Sequence, residues 1–144
     1  MANPVAAGQK TPWHLWAVAI LALLWNASGA ITIMLAQAGR LRNIDAEEAA
    51  YYAAQPVWLV VSTDIALVAA VAAAVALLLR HQAAVWLFGL SLAAIFVNNT
   101  YDISSGTSRV LVNRVALIVT CIIVVIAILE LVYARAMKKR AVLR

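Results

Sequence analysis

Val57-Trp58-Leu59-Val60-Val61-Ser62-Thr63-Asp64 opens a segment that then runs from Ile65 to Leu79 without another polar side chain. About twenty consecutive apolar residues suffice to cross the hydrocarbon core of a bilayer as a helix, so this stretch reads as a membrane span. Asp64 falls roughly two turns inside its first end. An ionised carboxylate at that depth is costly unless a partner or water reaches it.

The rest of the composition agrees. Of 144 residues, 66% are apolar and only 12% charged, and the mean hydropathy is +0.94. Soluble domains carry about a quarter charged residues, so the chain belongs in a membrane. Its net charge of +5 is not the mark of a nucleic-acid binder, because the positive residues lie at span ends and in the tail. That is where lipid headgroups meet a membrane protein. Cys121 is the single cysteine, which excludes an intrachain disulfide. A cleaved signal peptide is not expected, since the apolar run after Pro12 is too long for an h-region and lacks a small-x-small cleavage site.

Outward from the opening stretch, the pattern predicts four spans, at about 13–36, 57–79, 83–101 and 113–133, followed by a basic tail over 134–144. Trp13 and Trp16 frame the first span, and Trp58 and Tyr133 mark other interfaces as aromatic anchors. Along span one, Ala19, Ala22, Asn26, Gly29, Ala30 and Ile33 share a face whose small residues suit close packing in lipid. The polar connection from Gln37 to Gln55 holds Arg40, Arg42, Asp45, Glu47 and Glu48 ahead of Ala49-Ala50-Tyr51-Tyr52, and Pro56 stops it. It predicts a short amphipathic helix on the membrane surface with Tyr51 and Tyr52 at headgroup level, or alternatively a lid over a binding site. Arg80-His81-Gln82 is a very short turn, which makes spans two and three an antiparallel hairpin. Span three carries Ala84, Leu87, Ser91, Ala94, Asn98 and Asp102 on one face; span four carries Asn113, Ala116, Thr120, Val124 and Ala127.

Four spans put both termini on one side. That side holds Lys10, Arg80, Arg135, Lys138, Lys139, Arg140 and Arg144, whereas the other holds Arg40, Arg42, Arg109 and Arg114 together with four acids. The positive-inside rule then places both termini in the cytoplasm of a bacterial inner membrane. Arg135, Lys138, Lys139 and Arg140 would bind anionic headgroups.

Asp64 shares a helical face with Val60, Leu67, Val68, Val71, Val75 and Leu78, opposite the small stripe of Ser62, Ala66, Ala69, Ala70 and Ala73. Either its wide face points into the bundle or it meets another subunit. Arg109 and Arg114 enter from the same side and are the candidate ion-pair partners; a proton- or substrate-handling role is the third reading. Asp64, Asn26, Asn98 and Asn113 form a candidate intramembrane polar cluster, read either as interhelical hydrogen bonds or as a pocket for a small solute. Glu130 lies near the terminal end of span four, within reach of Arg80 or Arg135. His14 and His81 read as interfacial. No nucleophile–base set, Gly-rich phosphate loop or metal-ligand spacing occurs, so neither enzymatic chemistry, a cofactor nor a metal is implied.

Leu24-Trp25-Asn26-Ala27-Ser28-Gly29, Tyr51-Tyr52 before Pro56-Val57-Trp58, Leu77-Leu78-Leu79-Arg80 and Tyr133-Ala134-Arg135 resemble a group of small bacterial four-span inner-membrane proteins often labelled sugar transporters. Nearly the whole chain is covered. Where such proteins often place an acidic-aromatic pair after the glycine, this chain has Ile31-Thr32-Ile33, and no functional residue is carried across. The expectation is therefore an all-α membrane protein, a four-helix bundle with a surface helix between the first two spans. Its expected role is that of a non-enzymatic accessory subunit of a larger complex. A small oligomeric transporter or channel is the alternative. Its partners would be the bilayer and either other membrane subunits or further copies of itself.

Overall fold

The structure, a computed structural model, describes residues 11–42, 46–105 and 114–144. Lys10, Asp45, Arg109 and Asn113 lie outside the described residues. The chain is all-helical there: α1 Trp13–Gln37, α2 Ala46–Ala54, α3 Val57–Leu78, α4 Ala83–Ser104 and α5 Arg114–Lys139. The four long helices have mean hydropathies of 2.0, 2.3, 1.5 and 3.2. The shortest have 22 residues, about 33 Å of helix, against a hydrocarbon core of about 30 Å. The protein is a multi-pass membrane protein, with α2 as a short helix between the first two spans.

Local sequence sets the boundaries. Pro12 and Pro56, both extended (ψ 137° and 145°), precede the first residues of α1 and α3. A residue before proline is pushed out of the helical region, which is why α2 stops at Ala54, ahead of Gln55-Pro56. α4 outruns its expected end at 101 because its polar C-terminal residues bond back along the helix. Asn99 Nδ2 donates to Ile95 O at 3.0 Å and Thr100 Oγ1 to Phe96 O at 2.7 Å.

α3 is the hub, packed against α1 on one flank and α4 on the other, with α5 laid on α4. Its Ala66, Ala69, Ala70 and Ala73 are buried, as are Ala19 and Ala22 on α1. Helix association in lipid has no hydrophobic driving force, so close backbone approach at small residues supplies the packing energy. The core is concentrated toward the terminal end, where Leu15, Leu77, Phe88, Leu131 and Met137 meet. Within α5 the buried residues are Glu130, Leu131, Ala134 and Met137, all in its last third. Its earlier turns face outward, with Ile118, Val125 and others exposed.

The basic tail departs from expectation. Ala134 and Met137 extend the buried face begun by Leu131, so α5 continues to Lys139. The chain then turns back, burying Val142 and Leu143 to 3% exposure each. Arg144 N donates to Arg80 O at 2.7 Å, Gln82 N to Arg144 O at 3.0 Å, and Arg80 Nε to Val142 O at 3.3 Å. This clasp joins two helix ends of the same kind. α3 ends with Arg80 at φ 59° and His81 N bonded to Ala76 O; α5 ends with Ala141 at φ 53° and Val142 N bonded to Met137 O. Both are left-handed C-terminal motifs in which glycine is usual, as Gly39 (φ 64°) is at the end of α1. A side chain in that region costs about 1 kcal/mol or more. The clasp offsets that cost, and Ala141→Gly should raise the thermal midpoint in detergent, by about 1 kcal/mol of stability. Deleting 142–144 should lower it. A deletion variant as stable as the intact chain would remove the clasp from the account.

Candidate functional site

Where the terminal half of the bundle is filled, the opposite half encloses a cavity of about 460 Å³. That lies within the roughly 300–1,000 Å³ range of small-molecule sites. Every helix contributes. α1 supplies Trp25, Asn26, Ser28, Gly29, Thr32, Ile33 and Gln37; α3 supplies Leu59, Thr63 and Ala66; α4 supplies Ser91, Asn98, Asn99 and Asp102. Val119 and Ile123 of α5 form the remaining wall, and Tyr51, Tyr52 and Gln55 line the end opposite the termini. The void follows from side-chain size. The alanines of α3 admit close neighbours toward the terminal end, while α5 is packed only there.

The polar lining is partly satisfied. Asn98 Nδ2 donates to Thr63 Oγ1 at 3.0 Å, and Thr63 Oγ1 donates to Leu59 O at 2.9 Å. Thr32 and Ser28 turn back to their own helix. Four buried side-chain atoms of the lining have no hydrogen-bond partner among the described residues: Gln37 Nε2, Gln55 Oε1, Asn98 Oδ1 and Asp102 Oδ1. Buried polar atoms are paired in the great majority of cases, so three acceptors and a donor left open around one cavity set it apart from the rest of the interior. No Lys, Arg or His lines it among the described residues.

α2 lies over one end of this chamber. Tyr51 OH donates to Asp102 Oδ2 at 2.9 Å, and its ring meets that of Tyr52 edge-on at 5.4 Å. Burial, reinforced by the neighbouring carboxylate, pushes the Tyr51 phenol from its ordinary 10.0 up to about 12. The hydroxyl is therefore a donor throughout the physiological range. Trp58 packs edge-on against Tyr101 at 4.7 Å, holding the start of α3 to the end of α4 beside this contact.

The expected polar cluster is divided. Asn26 and Asn98 face the cavity; Asp64 does not. Its carboxylate lines a groove on the outer side of α3 and α4 with Val61, Ile65, Val68, Leu87 and Leu90, and its Oδ1 is buried without a partner among the described residues. No ion pair joins it to Arg114 among the described residues. Asn113 and Arg109 lie outside them. The anchors divide too: Trp13, Trp16 and Trp58 are exposed, but Tyr133 turns inward, its hydroxyl 2.7 Å from His14 Nδ1. Glu130 does not pair with Arg80 or Arg135. It is 9% exposed and accepts a hydrogen bond from Asn26 Nδ2 at 2.8 Å. His81 Nδ1 accepts from Ala83 N at 3.1 Å and so caps α4. Among the described residues no group of His, Cys, Asp and Glu could hold a metal ion.

The sequence places Asp102 on the inner face of α4 and allows Tyr51 a place in a lid, but it does not show the pairing of the two or that of Glu130 with Asn26. Tyr51 and Asp102 are 51 positions apart, Asn26 and Glu130 104, and only the fold brings each pair together.

Tyr51→Phe should cost about 1 kcal/mol in stability and leave Asp102 without its donor. With the folded value raised, the contribution of Tyr51 is complete below pH 10.0 and fades as pH rises through about 12. Ultraviolet titration should find one tyrosine ionising after the others in the wild type and that late step missing in Tyr51→Phe.

No protein-family model, curated protein or solved structure matches the chain, and its functional reading therefore rests on this geometry.

Proposed function

We propose that this protein handles a small neutral, hydroxyl-rich solute, binding it in the cavity between α1, α3, α4 and α5 as a transporter or channel that works as a homo-oligomer. The observation that carries this reading is the set of unpaired buried atoms on Gln37, Gln55, Asn98 and Asp102 around one void. A hydroxyl both donates and accepts, so a polyol or monosaccharide can satisfy all four, whereas an anion would find no cation in the described lining. Trp25, Tyr51 and Tyr52 add flat apolar surface on which the C–H faces of such a solute can rest. The transporter label of the small four-span proteins that the chain resembles points the same way.

The cavity occupies one half of the bundle and ends on the packed core of Leu15, Leu77 and Phe88. Passage through to the terminal side needs that core to part, which an interface with further copies would promote. The charge asymmetry supports a bacterial inner membrane with both termini in the cytoplasm, and the cavity then opens outward.

Asp64 favours a second reading, an accessory subunit of a larger membrane complex. A partner helix carrying a donor would satisfy the lone Oδ1 in its outer groove. Native mass spectrometry after mild solubilisation separates the two: homo-oligomers support the first reading, and stoichiometric recovery with unrelated subunits supports the second.

Solute binding is tested by intrinsic fluorescence, because Trp25 lines the cavity. Neutral monosaccharides and polyols, added singly to purified protein, should give a saturable change for at least one of them. Trp25→Phe should remove the signal, and Asn98→Leu should weaken affinity about tenfold or more, the cost of losing one well-placed hydrogen bond. Lack of any saturable response across the panel, or a response indifferent to Asn98→Leu, rejects the proposal.

A further inference from the structure

We propose that the turn between α3 and α4, with the chain end clasped to it, is a binding site for one anionic phospholipid. Arg80 and Arg144 hold its phosphate, and an acyl chain lies in the outer groove of α3 and α4. The site is separate from the cavity and does not rest on the solute reading above.

The clasp brings two cations together. Arg144 N donates to Arg80 O at 2.7 Å and Gln82 N to Arg144 O at 3.0 Å, which sets residues 80 and 144 side by side at the terminal face. Arg80 commits its Nε to Val142 O at 3.3 Å, and among the described residues the two terminal nitrogens of its guanidinium are left for another acceptor. Arg144 makes its bonds through the backbone and is exposed. The described acids stand elsewhere. Glu130 is bonded to Asn26 inside the bundle, Asp64 lines the outer groove, and Asp102 and the acids of α2 lie at the opposite end. Neighbouring guanidinium groups repel one another unless an anion stands between them. Each offers a planar fork of N–H donors that fits phosphate oxygens.

What stands beside the two arginines assigns the anion to a lipid. Leu79, next to Arg80 in the chain, is 75% exposed, and Trp86 in the first turn of α4 is 76% exposed. These are large apolar side chains at the level where headgroups meet acyl chains, the usual place of an interfacial tryptophan. At helical spacing Leu79 shares a face with Ala72 and Val68. With Ala69, Leu87 and Leu90 those two residues line a groove of about 390 Å³ on the outer side of α3 and α4. The groove is there because Ala69 and Ala72 present no more than a methyl group beside the leucines of α4.

The depth of the groove fits one leaflet. Half of the hydrocarbon core is about 15 Å, or roughly ten residues of helix. Counted from Leu79, that length ends near Ala69. A chain anchored at the arginines therefore fills the alanine half of the groove and stops short of Asp64, the groove's polar residue. A free anion would use the arginines and leave this apolar half untouched. The exposed Lys138, Lys139 and Arg140 at the end of α5 supply diffuse attraction to an anionic surface, whereas the turn supplies a seat.

The test offers the full chain, in mild detergent, equal amounts of dioleoyl phosphatidylglycerol and dioleoyl phosphatidylcholine and counts the retained lipids by native mass spectrometry. The wild type should keep one phosphatidylglycerol in preference to phosphatidylcholine. Arg144→Gln preserves the backbone bonds of the clasp and should lower that affinity about fivefold, the worth of one cation near a lipid surface. Ala72→Phe, which fills the groove and leaves both arginines, should lower it as well. The double variant Lys138→Gln/Lys139→Gln removes two charges away from the turn and should change it less than Arg144→Gln alone. An unchanged thermal midpoint shows that each variant is folded. Equal retention of the two lipids, or a loss in the double lysine variant as large as in Arg144→Gln, overturns the site. Displacement of the lipid by glycerol phosphate at equal concentration, or an Ala72→Phe affinity equal to that of the wild type, assigns the arginines to a free anion and overturns the lipid.

Discussion

Helices in hydrocarbon approach one another only as closely as their smallest side chains permit. In this protein that constraint is met along one stripe of α3, where Ala66, Ala69, Ala70, Ala73 and Ala74 let α1 and α4 close in. Larger side chains, Leu15, Leu77, Phe88 and Met137, fill the space toward the terminal end, and the clasp of Val142 and Leu143 seals it. Toward the other end the stripe gives way to Thr63 and Leu59, and α5 has no buried residue before Glu130. A bundle tight at one end and open at the other is the direct result. The cavity is the space left where close packing stops.

Polar side chains are distributed by the same division. In the filled half, Glu130, Asn26, His14 and Tyr133 are joined in two short cross-helix contacts. In the open half, donors and acceptors remain unpaired around the void among the described residues, and the bond from Tyr51 to Asp102 holds α2 over it. The acids Asp64 and Glu130 within the spans lie on opposite sides of the packing, Asp64 on the outward of its two expected faces. Asp64 faces outward into a groove on α3 and α4, and Glu130 lies inside. Their placement follows their neighbours: Asp64 is flanked by Val61, Ile65 and Val68 on the outer face, while Glu130 shares its face with Leu131 and Ala134, which are buried against the bundle.

Much of this was legible in the chain. The four apolar runs, the prolines before α1 and α3, and the three-residue turn after Leu79 define the starts of α1, α3 and α4 nearly to the residue, because each depends on local chemistry, whereas α4 and α5 run three and six residues past their expected ends. The alanine stripe and most of the inward faces of α1 and α4 follow from helical period alone; Leu87, expected on the inner face of α4, lies in the outer groove beside Asp64, and Phe88 is buried in the core. What was not legible depends on contacts distant in sequence. Tyr51 looks like an ordinary interfacial tyrosine until Asp102 is beside it. Glu130 looks close enough to Arg135 to pair along the helix, until Asn26 is found opposite it. Val142-Leu143 after a basic run was the one signal of the clasp, two apolar residues where a solvated tail needs none. The left-handed turns at Arg80 and Ala141 carry no sequence mark, since glycine is absent from both.

The account stands or falls on a water-accessible chamber in the half of the bundle away from the termini. Ile31 and Ile33 lie at nearly the same depth on α1, but Ile33 lines the cavity whereas Ile31 is exposed on the outer surface. In a Cys121→Ser background, single cysteines at these two positions can be challenged with a membrane-impermeant thiol reagent added from the side opposite the termini. Ile33→Cys should label rapidly and Ile31→Cys little, since the thiol of the latter would sit among lipid chains. Equal labelling of the two, or protection of Ile33→Cys alone, would contradict it.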